Sequence, residues 1–541
     1  MVLSMLLTKR DGCARIGKIV IDSKEFELPL LIDFLKKEEF EDLLNSMDFG
    51  LSPYVIKDID SKRFDALKSR DENFLILTGL KTLSPKRIVE EIFKLVKNSK
   101  PIYTPALATP INLPLLIYLG IDIVDNILPI VDAYNGIYYT NDSKFKLQNL
   151  KSLPCNCPVC LNGIDALKNS EYEERSYLIA LHNTYVMKSQ IELIKETIRN
   201  ENLRNFVEAK AKLNPELTVI LRIADNLNFC YEFHSAFKKS KVYFNTLESF
   251  NRPEVKIFFE RALKAYKPKT KTLLILPCSA KKPYLLSKTH KTIRRVCKIR
   301  VNEIIVSSPL VVPREFELVY PAINYDTPVT GHWSDEEISF VAERLREFVD
   351  KGNFERIIAH VENGYRKVVE RALKDYNVEY TCNSSITSQD SLKNLKRALE
   401  NRSEKLDLYK EIFEHMVRYQ FDLEMNLEGK IRGKYPELEL INSNERVLRV
   451  NKNYGMLDIY RVFAEQLIEA KKYVAKIGDF DPKGTIFAIG IENADERIRP
   501  NDLVVFYNDK IFGVAKAIMA GIEMVEAKKG MALIIKRKWN F

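Results

Sequence analysis

The sequence predicts a multidomain α/β protein, and three features carry that expectation. Short apolar runs alternate with helix-spaced apolar residues through the first half of the chain. Three later runs, Thr272–Leu276, Glu303–Ser307 and Arg356–His360, are largely apolar, as strands buried on both faces are. Helical patterns lie between them, at Glu336–Val349 and Tyr365–Leu373. The last ~70 residues instead carry four short strand candidates separated by turn residues, the pattern of a small β-barrel. At roughly 100–200 residues per domain, 541 residues imply about three to five domains.

Taken in order, Phe74–Thr78 reads as a strand. Pro85–Asn98 reads as a helix with Ile88, Ile92, Leu95 and Val96 on one face. Pro101–Leu107 is extended, Leu115–Leu119 helical, and GIDIVDN a further short strand. This β-then-α rhythm predicts parallel strands with helical crossovers, in a barrel or an open sheet. The basic, proline-containing KAYKPKTK (264–271) marks a boundary. The α/β unit after it should carry ligand loops beyond its strand ends. Polar, Ser/Lys-rich Asn383–Glu404 marks a second boundary, and a small α+β segment follows. The closing strand candidates are Phe487–Ile491, Leu503–Tyr507, Ile511–Ala517 and Ala532–Lys536. The expected domains are 1–265, 266–395, 396–465 and 466–541.

Net charge is +10, and its distribution says more than its sum. Arg261 to Asn302 contains thirteen Lys or Arg and no acid, which points to an anionic partner, most simply nucleic-acid phosphate. A solvated surface is the plainer reading of a charge run. It fits poorly where the run surrounds a candidate reactive thiol. The longest apolar stretch, Ile111–Val131, is broken by Asp122, Asp125 and Asn126, so no membrane span is expected. MVLSMLLTKRDG lacks the apolar core and cleavage site of a signal peptide. Eight cysteines without a secretion signal suggest a reducing cytoplasm rather than a disulfide framework. Cys13, Cys230, Cys297 and Cys382 are read as structural, as are His234 and His415.

LPCNCPVC supplies Cys155, Cys157 and Cys160, and ALHN supplies His182 within a helical pattern. Three thiols and one imidazole suit tetrahedral zinc. With four protein ligands the site is closed, so the metal should be structural. Free thiols and an unrelated histidine are the alternative.

These residues also carry a resemblance. IYTPALATPINLPLLIYLGIDIVDN, followed by LKSLPCNCPVC and LHN, resembles the second half of the tRNA-guanine transglycosylase barrel with its Cys-x-Cys-x-x-Cys…His zinc site. ARIGKIVIDSKEFELPLLI resembles that family's N-terminal β-ribbon. The family's aspartate nucleophile and Ser-Gly-Gly-Phe-Gln-like base-reading loop are not found. Asp58, Asp60 and Asp65 lie in the corresponding region without the surrounding pattern, and the segment between about 30 and 95 is short for the barrel. The resemblance implies a degenerate TIM-barrel-like scaffold that has lost base exchange.

The tail resembles a PUA domain, an RNA-binding β-barrel. The matching marks are Gly490–Ile491, Ile498 to Asp502, Gly513–Ala515 and Lys529–Gly530. Arg499, Lys516, Lys536, Arg537 and Lys538 are its candidate phosphate contacts. RYQFDLEMNLEGKIRGKYPELELI resembles the domain that precedes PUA in archaeal transglycosylases. Two RNA-enzyme modules make tRNA the expected partner.

LPCSAKKPYLLSKTH follows the first of the three buried runs. Pro277-Cys278, Lys282-Pro283-Tyr284, Ser287 and His290 match, over seven positions, the signature of the archaeosine synthase family. The resemblance implies a tRNA substrate carrying 7-cyano-7-deazaguanine in its D-loop. Its nitrile would be converted toward an amidine with free lysine as amine donor, and the lysine adduct would then be cleaved by a radical-SAM partner. Glutamine or ammonia is the competing donor, and dimers are common among relatives. Chemically, a thiol beside lysines favours the thiolate, and a thiolate can attack a nitrile. Cys278 is therefore the candidate nucleophile and His290 the candidate acid or base. Lys281 and Lys282 are candidate phosphate or site cations, Tyr284 a stacking partner and Ser287 a hydrogen-bonding group. Glu315, Glu317, Tyr320, Asp326 and His332 follow the second run as candidates for binding the donor. Packing is the alternative for each. Base exchange by a true transglycosylase, and a non-catalytic RNA-binding scaffold, are the competing functions.

Overall fold

The computed structural model describes residues 4–21, 24–47, 74–97, 100–299, 301–328, 333–400, 406–425, 427–527 and 529–541. The chain forms two compact units. One is Met1–Ser235 with Pro482–Pro500 and Ala517–Ile534. The other is Ala236–Asp481 with Asn501–Lys516 and Ile535–Phe541.

The first unit opens on an antiparallel ribbon of Ser4–Asp11, Ala14–Ile21 and Lys24–Leu28. Strand alternation sends Ile19, Ile21, Phe26 and Leu28 into one core. A parallel sheet follows, in the order Leu30–Ile32, Ile123–Asp125, Ile102–Tyr103, Leu75–Ile76. The helix Pro85–Val96 joins its last two strands in sequence and buries Ile88, Ile92, Leu95 and Val96, the face its spacing predicts. Proline at its first position costs no hydrogen bond, because that amide has no helical partner. The carboxylates just before and at the end of Ile123–Asp125 are internally engaged. Asp122 accepts from Arg15 Nε (2.9 Å) and Ile102 N (2.9 Å), and Asp125 from Tyr103 Oη (2.6 Å) and Ile127 N (2.9 Å). Asp58, Asp60 and Asp65 lie outside the described residues.

The expectation of unpaired thiols fails at Cys13 and Cys230. They form a disulfide with Cα atoms 6.2 Å apart. A tight turn carries Cys13, and the segment after helix Pro215–Asn226 carries Cys230. The two meet in one apolar core across 217 residues of sequence, a proximity no local pattern encodes. Among the described residues, no helix is long and apolar enough to cross a membrane.

The second unit is built on a five-stranded sheet. Its elements are β1 (Thr272–Pro277), α1 (Lys288–Cys297), β2 (Asn302–Val306), β3 (Val311–Pro313), α2 (Asp335–Gly352), β4 (Arg356–Ala359), α3 (Asn363–Ala372), β5 (Val378–Tyr380) and α4 (Gln389–Leu399). Strand order is β3-β2-β1-β4-β5, with β1 parallel to both β2 and β4. All six residues of β1 are buried. Burying an aliphatic side chain contributes about 1.5–3 kcal/mol, so this strand anchors the unit. Leu274, Leu276 and Ile358 pack on α1 and α4 through Ile293, Leu392 and Leu395. Leu273 and Ile275 alternate to the opposite face.

α4 lies inside the polar stretch Asn383–Glu404, in which the sequence places a boundary. Its apolar stripe is narrow (Leu392, Leu395, Ala398), and Ser388 caps it by accepting from Ser391 N. A polar composition hid a helix that needs one thin face to dock. The helix Pro253–Ala265, expected to end the first domain, packs within the second unit, with Phe259 6.3 Å from the Phe348 ring.

Beyond α4, the helix Leu408–Phe421 precedes a four-stranded antiparallel sheet from Lys430 to Ile459, an α+β segment as expected. Leu503–Tyr507 pairs antiparallel with residues 512–516 and parallel with residues 474–476, all in the second unit. In the first unit, Thr485–Phe487 pairs with residues 531–534. The expected strand Phe487–Ile491 is interrupted by a 3-10 turn at Ala488–Gly490.

Candidate active site

The chain leaves β1 toward β2 and later returns across β1 to β4. Neighbouring connections therefore diverge at the carboxyl ends of β1 and β4. Parallel sheets bind ligands at such a switch point, because the diverging loops leave a crevice. A cavity of about 370 Å³ occupies this place. Cys278 follows β1, Ser308 follows β2, and Glu362 and Tyr365 follow β4; with Phe244 and Trp333 they line it.

Cys278 is half-buried, and its amide donates to Val306 O (2.9 Å), holding it at the strand end. Its Sγ lies 3.2 Å from the Tyr365 hydroxyl. Burial first, then the neighbouring thiol, push the Tyr365 phenol well above its ordinary range, so it stays an O–H donor. Trp333 packs edge-on against Tyr365 with ring centres 5.2 Å apart. Gly364 permits this approach, because a Cβ there would lie 2.7 Å from Trp333 Cδ1. Gly364→Ala should displace the Trp333 ring and open this wall, read as a changed Trp333 fluorescence and weaker binding of a planar base analogue.

The remaining signature residues hold the loop in place. Lys282 lies with Nζ 3.9 Å above the Tyr325 ring, and burial lowers its pKa. Tyr284 is buried, and its hydroxyl joins those of Tyr325 and Ser307 in a chain. Ser287 caps α1 by accepting from His290 N (3.2 Å). His290 is fully buried. Its Nε2–H donates to Pro277 O (3.0 Å) and its Nδ1 accepts from Arg314 (2.8 Å). Both ring nitrogens are thus engaged with protein, and the ring ties α1 to the end of β1.

Burial, then the Arg314 charge, hold the His290 pKa down to about 3. An unfolded histidine titrates near ~6.5. Below that pH the unfolded chain binds a proton that the native chain refuses, so stability is complete above it and is lost as pH falls toward 3. His415, also held down to about 3 by burial, acts in the same direction. His290→Gln should therefore reduce, and the double variant with His415→Gln reduce further, the acid-side slope of denaturant midpoint against pH.

Of the candidates for donor binding, Glu315 and Glu317 are fully buried beneath the loop. Glu317 accepts from Arg314 (2.8 Å), Leu285 N (3.2 Å) and the Tyr435 hydroxyl, and Arg314 also donates to Glu303 (2.8 Å). Glu315 accepts from Asn302 (2.6 Å), and burial raises its pKa to about 7. Tyr320 is buried, its amide donating to Gly455 O (3.0 Å). Asp326 is exposed, 3.4 Å from Lys241, and Lys281 is exposed. None of these lines the cavity. His332 lies outside the described residues. Sequence reasoning missed Tyr365, Glu362 and Ser308. Only their positions just past apolar strands could have signalled them.

In the first unit, Cys155, Cys157, Cys160 and His182 offer ligand atoms all within 4.8 Å of one another. His182 comes from the buried face of helix Tyr172–Arg199. Its Nε2–H donates to Tyr139 O (2.8 Å), which leaves Nδ1 facing Cys157 (3.4 Å) and Cys160 (3.3 Å). The Tyr138 ring stacks on the imidazole at 3.8 Å. Donor set and oriented imidazole together fit a four-coordinate metal ion.

The basic tail residues differ in availability. Arg499 lies over the Tyr231 ring (4.4 Å) and donates to Tyr231 O. Lys516 meets Tyr454 (3.4 Å), Arg537 donates to Ile459 O (3.2 Å), and Lys538 pairs with Asp481. Lys536 is exposed.

Four family models match the chain: Queuine tRNA-ribosyltransferase at 56–216, a domain of unknown function at 255–399, a pre-PUA domain at 406–468 and a PUA domain at 481–538. An archaeosine synthase subunit alpha from Methanosarcina acetivorans is 35% identical, over 86% of this chain and 80% of that one. An archaeosine synthase from Haloferax volcanii is 30% identical, over 90% and 83%. A tRNA-guanine(15) transglycosylase from Methanobrevibacter smithii is 25% identical, over 93% and 77%.

Proposed function

Because the chain belongs to the archaeosine synthase family of tRNA-modifying enzymes, we propose that its switch-point cavity adds an amine to the nitrile of 7-cyano-7-deazaguanine in tRNA. The observation that carries this reading is the Cys278 thiol at the end of β1, inside an aromatic-walled cavity and facing a phenol donor.

A base cannot react from inside a helix stack, so the modified nucleotide turns out into the cavity, with Phe244, Trp333 and Tyr365 as its stacking surfaces. Cys278 Sγ then attacks the nitrile carbon. One C≡N π bond breaks, and the nitrogen takes the thiol's proton, giving a thioimidate. Tyr365 donates a hydrogen bond to sulfur as its charge changes. An amine displaces sulfur and leaves an amidine. We assign free lysine as the donor and a radical-SAM enzyme as the partner that cleaves the adduct. Lys282, fixed over Tyr325 and close enough to Cys278 to interact with its charge, is the site's cation. Tyr284, Ser287 and His290 act as positioning residues. Lys281 and the exposed Lys536 are phosphate contacts, and Arg499, Lys516, Arg537 and Lys538 shape the RNA-facing surface. The donor-binding roles of Glu315, Glu317, Tyr320 and Asp326 find no support in their placement. We further propose the domain limits 1–265, 266–395, 396–465 and 466–541, a degenerate TIM-barrel-like first domain, a cytoplasmic location and a homodimer.

Zinc is the metal we assign to Cys155, Cys157, Cys160 and His182, in a structural role. Cys157→Ser should lower the zinc content measured by elemental analysis and shift the unfolding of the first unit to lower temperature. Retention of one full equivalent would contradict the assignment.

The reading is tested by incubating the chain with tRNA bearing the nitrile base and an amine. Loss of the nitrile nucleoside supports it. Incorporation of labelled guanine into tRNA would instead establish base exchange.

A further inference from the structure

We propose that Glu362 is the amine-receiving carboxylate, binding an incoming primary alkylammonium and taking the proton its nitrogen must lose before it attacks. The inference rests on the reading of Cys278 above. Ile275 and Ala359 are register partners in β1 and β4, so Cys278 and Glu362 each stand three residues beyond the same rung. Both line the cavity. Glu362 precedes α3 yet makes no side-chain capping bond, and among the described residues its carboxylate has no hydrogen-bond or ion-pair partner. The second acid in the cavity, Glu337, accepts from Ser334 N (3.4 Å) within the capping box of α2. No Lys or Arg is among the described lining residues.

Two hydroxyls point independently to a polar ligand. Ser308 is 6% exposed, lines the cavity at the end of β2, and its Oγ is buried without a partner among the described residues. Thr246 lines the same cavity, and its Oγ1 is likewise buried and, among the described residues, unpartnered. An unpaired buried polar atom costs about 1–3 kcal/mol, so such atoms persist where a ligand completes them. An ammonium offers three N–H donors; one carboxylate and two hydroxyls are three acceptors for them.

The proton balance closes without another reactant. The ammonium gives one proton to Glu362, and the freed lone pair forms the N–C bond at the thioimidate carbon. A second proton moves from the attacking nitrogen to the nitrile-derived nitrogen. The C–Sγ bond then breaks, and the sulfur receives the proton held by Glu362. The product is an amidinium and the free thiol is restored.

Glu362→Gln tests this with two amines, lysine and hydroxylamine, the latter largely unprotonated at neutral pH. The variant should transfer lysine about 10²-fold more slowly, while hydroxylamine addition stays within about threefold of the parent chain. Intact-protein mass spectrometry should show the Cys278–base adduct accumulating with lysine. Equal losses with both amines, or no loss with lysine, would overturn the role of Glu362. A parent chain that forms neither adduct nor amidine would overturn the reading of Cys278 instead.

Discussion

Cys278→Ala loses conversion of the nitrile by about 10³-fold or more, because no other described residue lining the cavity carries a thiol to form the thioimidate. The same variant keeps the parent's denaturant midpoint and tRNA affinity. Cys278 is half-buried, and its structural tie to β2 is the backbone bond from its amide to Val306, which alanine retains. Turnover by nucleoside mass spectrometry and binding by filter retention separate the two effects. Residual activity near the parent level would remove the thiol from the mechanism and leave the cavity as a binding site only.

Arg314→Met has the largest expected effect on stability. The guanidinium is 1% exposed and serves three partners at once: Glu303, Glu317 and the Nδ1 of His290. Methionine fills much of the volume but leaves two buried carboxylates short of a counter-charge. Breaking a buried pair in this way costs about 3–5 kcal/mol. Glu303 keeps Arg294, and Glu317 keeps Tyr435 and the Leu285 amide, so the unit should still fold in mild conditions. The unfolding midpoint in urea should drop accordingly. A loss below about 1 kcal/mol would mean that these neighbours satisfy the carboxylates alone.

These two residues show what local pattern can and cannot reveal. β1, β2 and β4 were legible because strands buried on both faces are apolar throughout, and the helix Pro85–Val96 because its burial follows a 3.6-residue period. Cys278 was legible because it directly follows such a strand. Arg314 was not, because its partners come from β2, the 3-10 turn Arg314–Phe316 and its flank, and α1, and no spacing links them. Glu362 and Tyr365, 84 and 87 residues away in sequence, share the cavity with Cys278 through sheet order, and strand order is not a local property. Glu315 and Glu317 misled for a related reason. Their position after β2 suggested a ligand loop, but β3 turns back antiparallel and carries them under the sheet end. The Cys/His cluster that could hold a metal ion was legible because Cys-x-Cys-x-x-Cys is local and His182 follows it within a helical pattern; the fold brings the four ligand atoms within 4.8 Å of one another.

The most direct test of the central claim is nucleoside mass spectrometry of nitrile-bearing tRNA incubated with this chain and isotope-labelled lysine. A nucleoside heavier by one intact labelled lysine, absent with Cys278→Ala, is the predicted result. An unchanged nitrile nucleoside, or an amidine formed from glutamine or ammonium with no lysine adduct, would contradict the account.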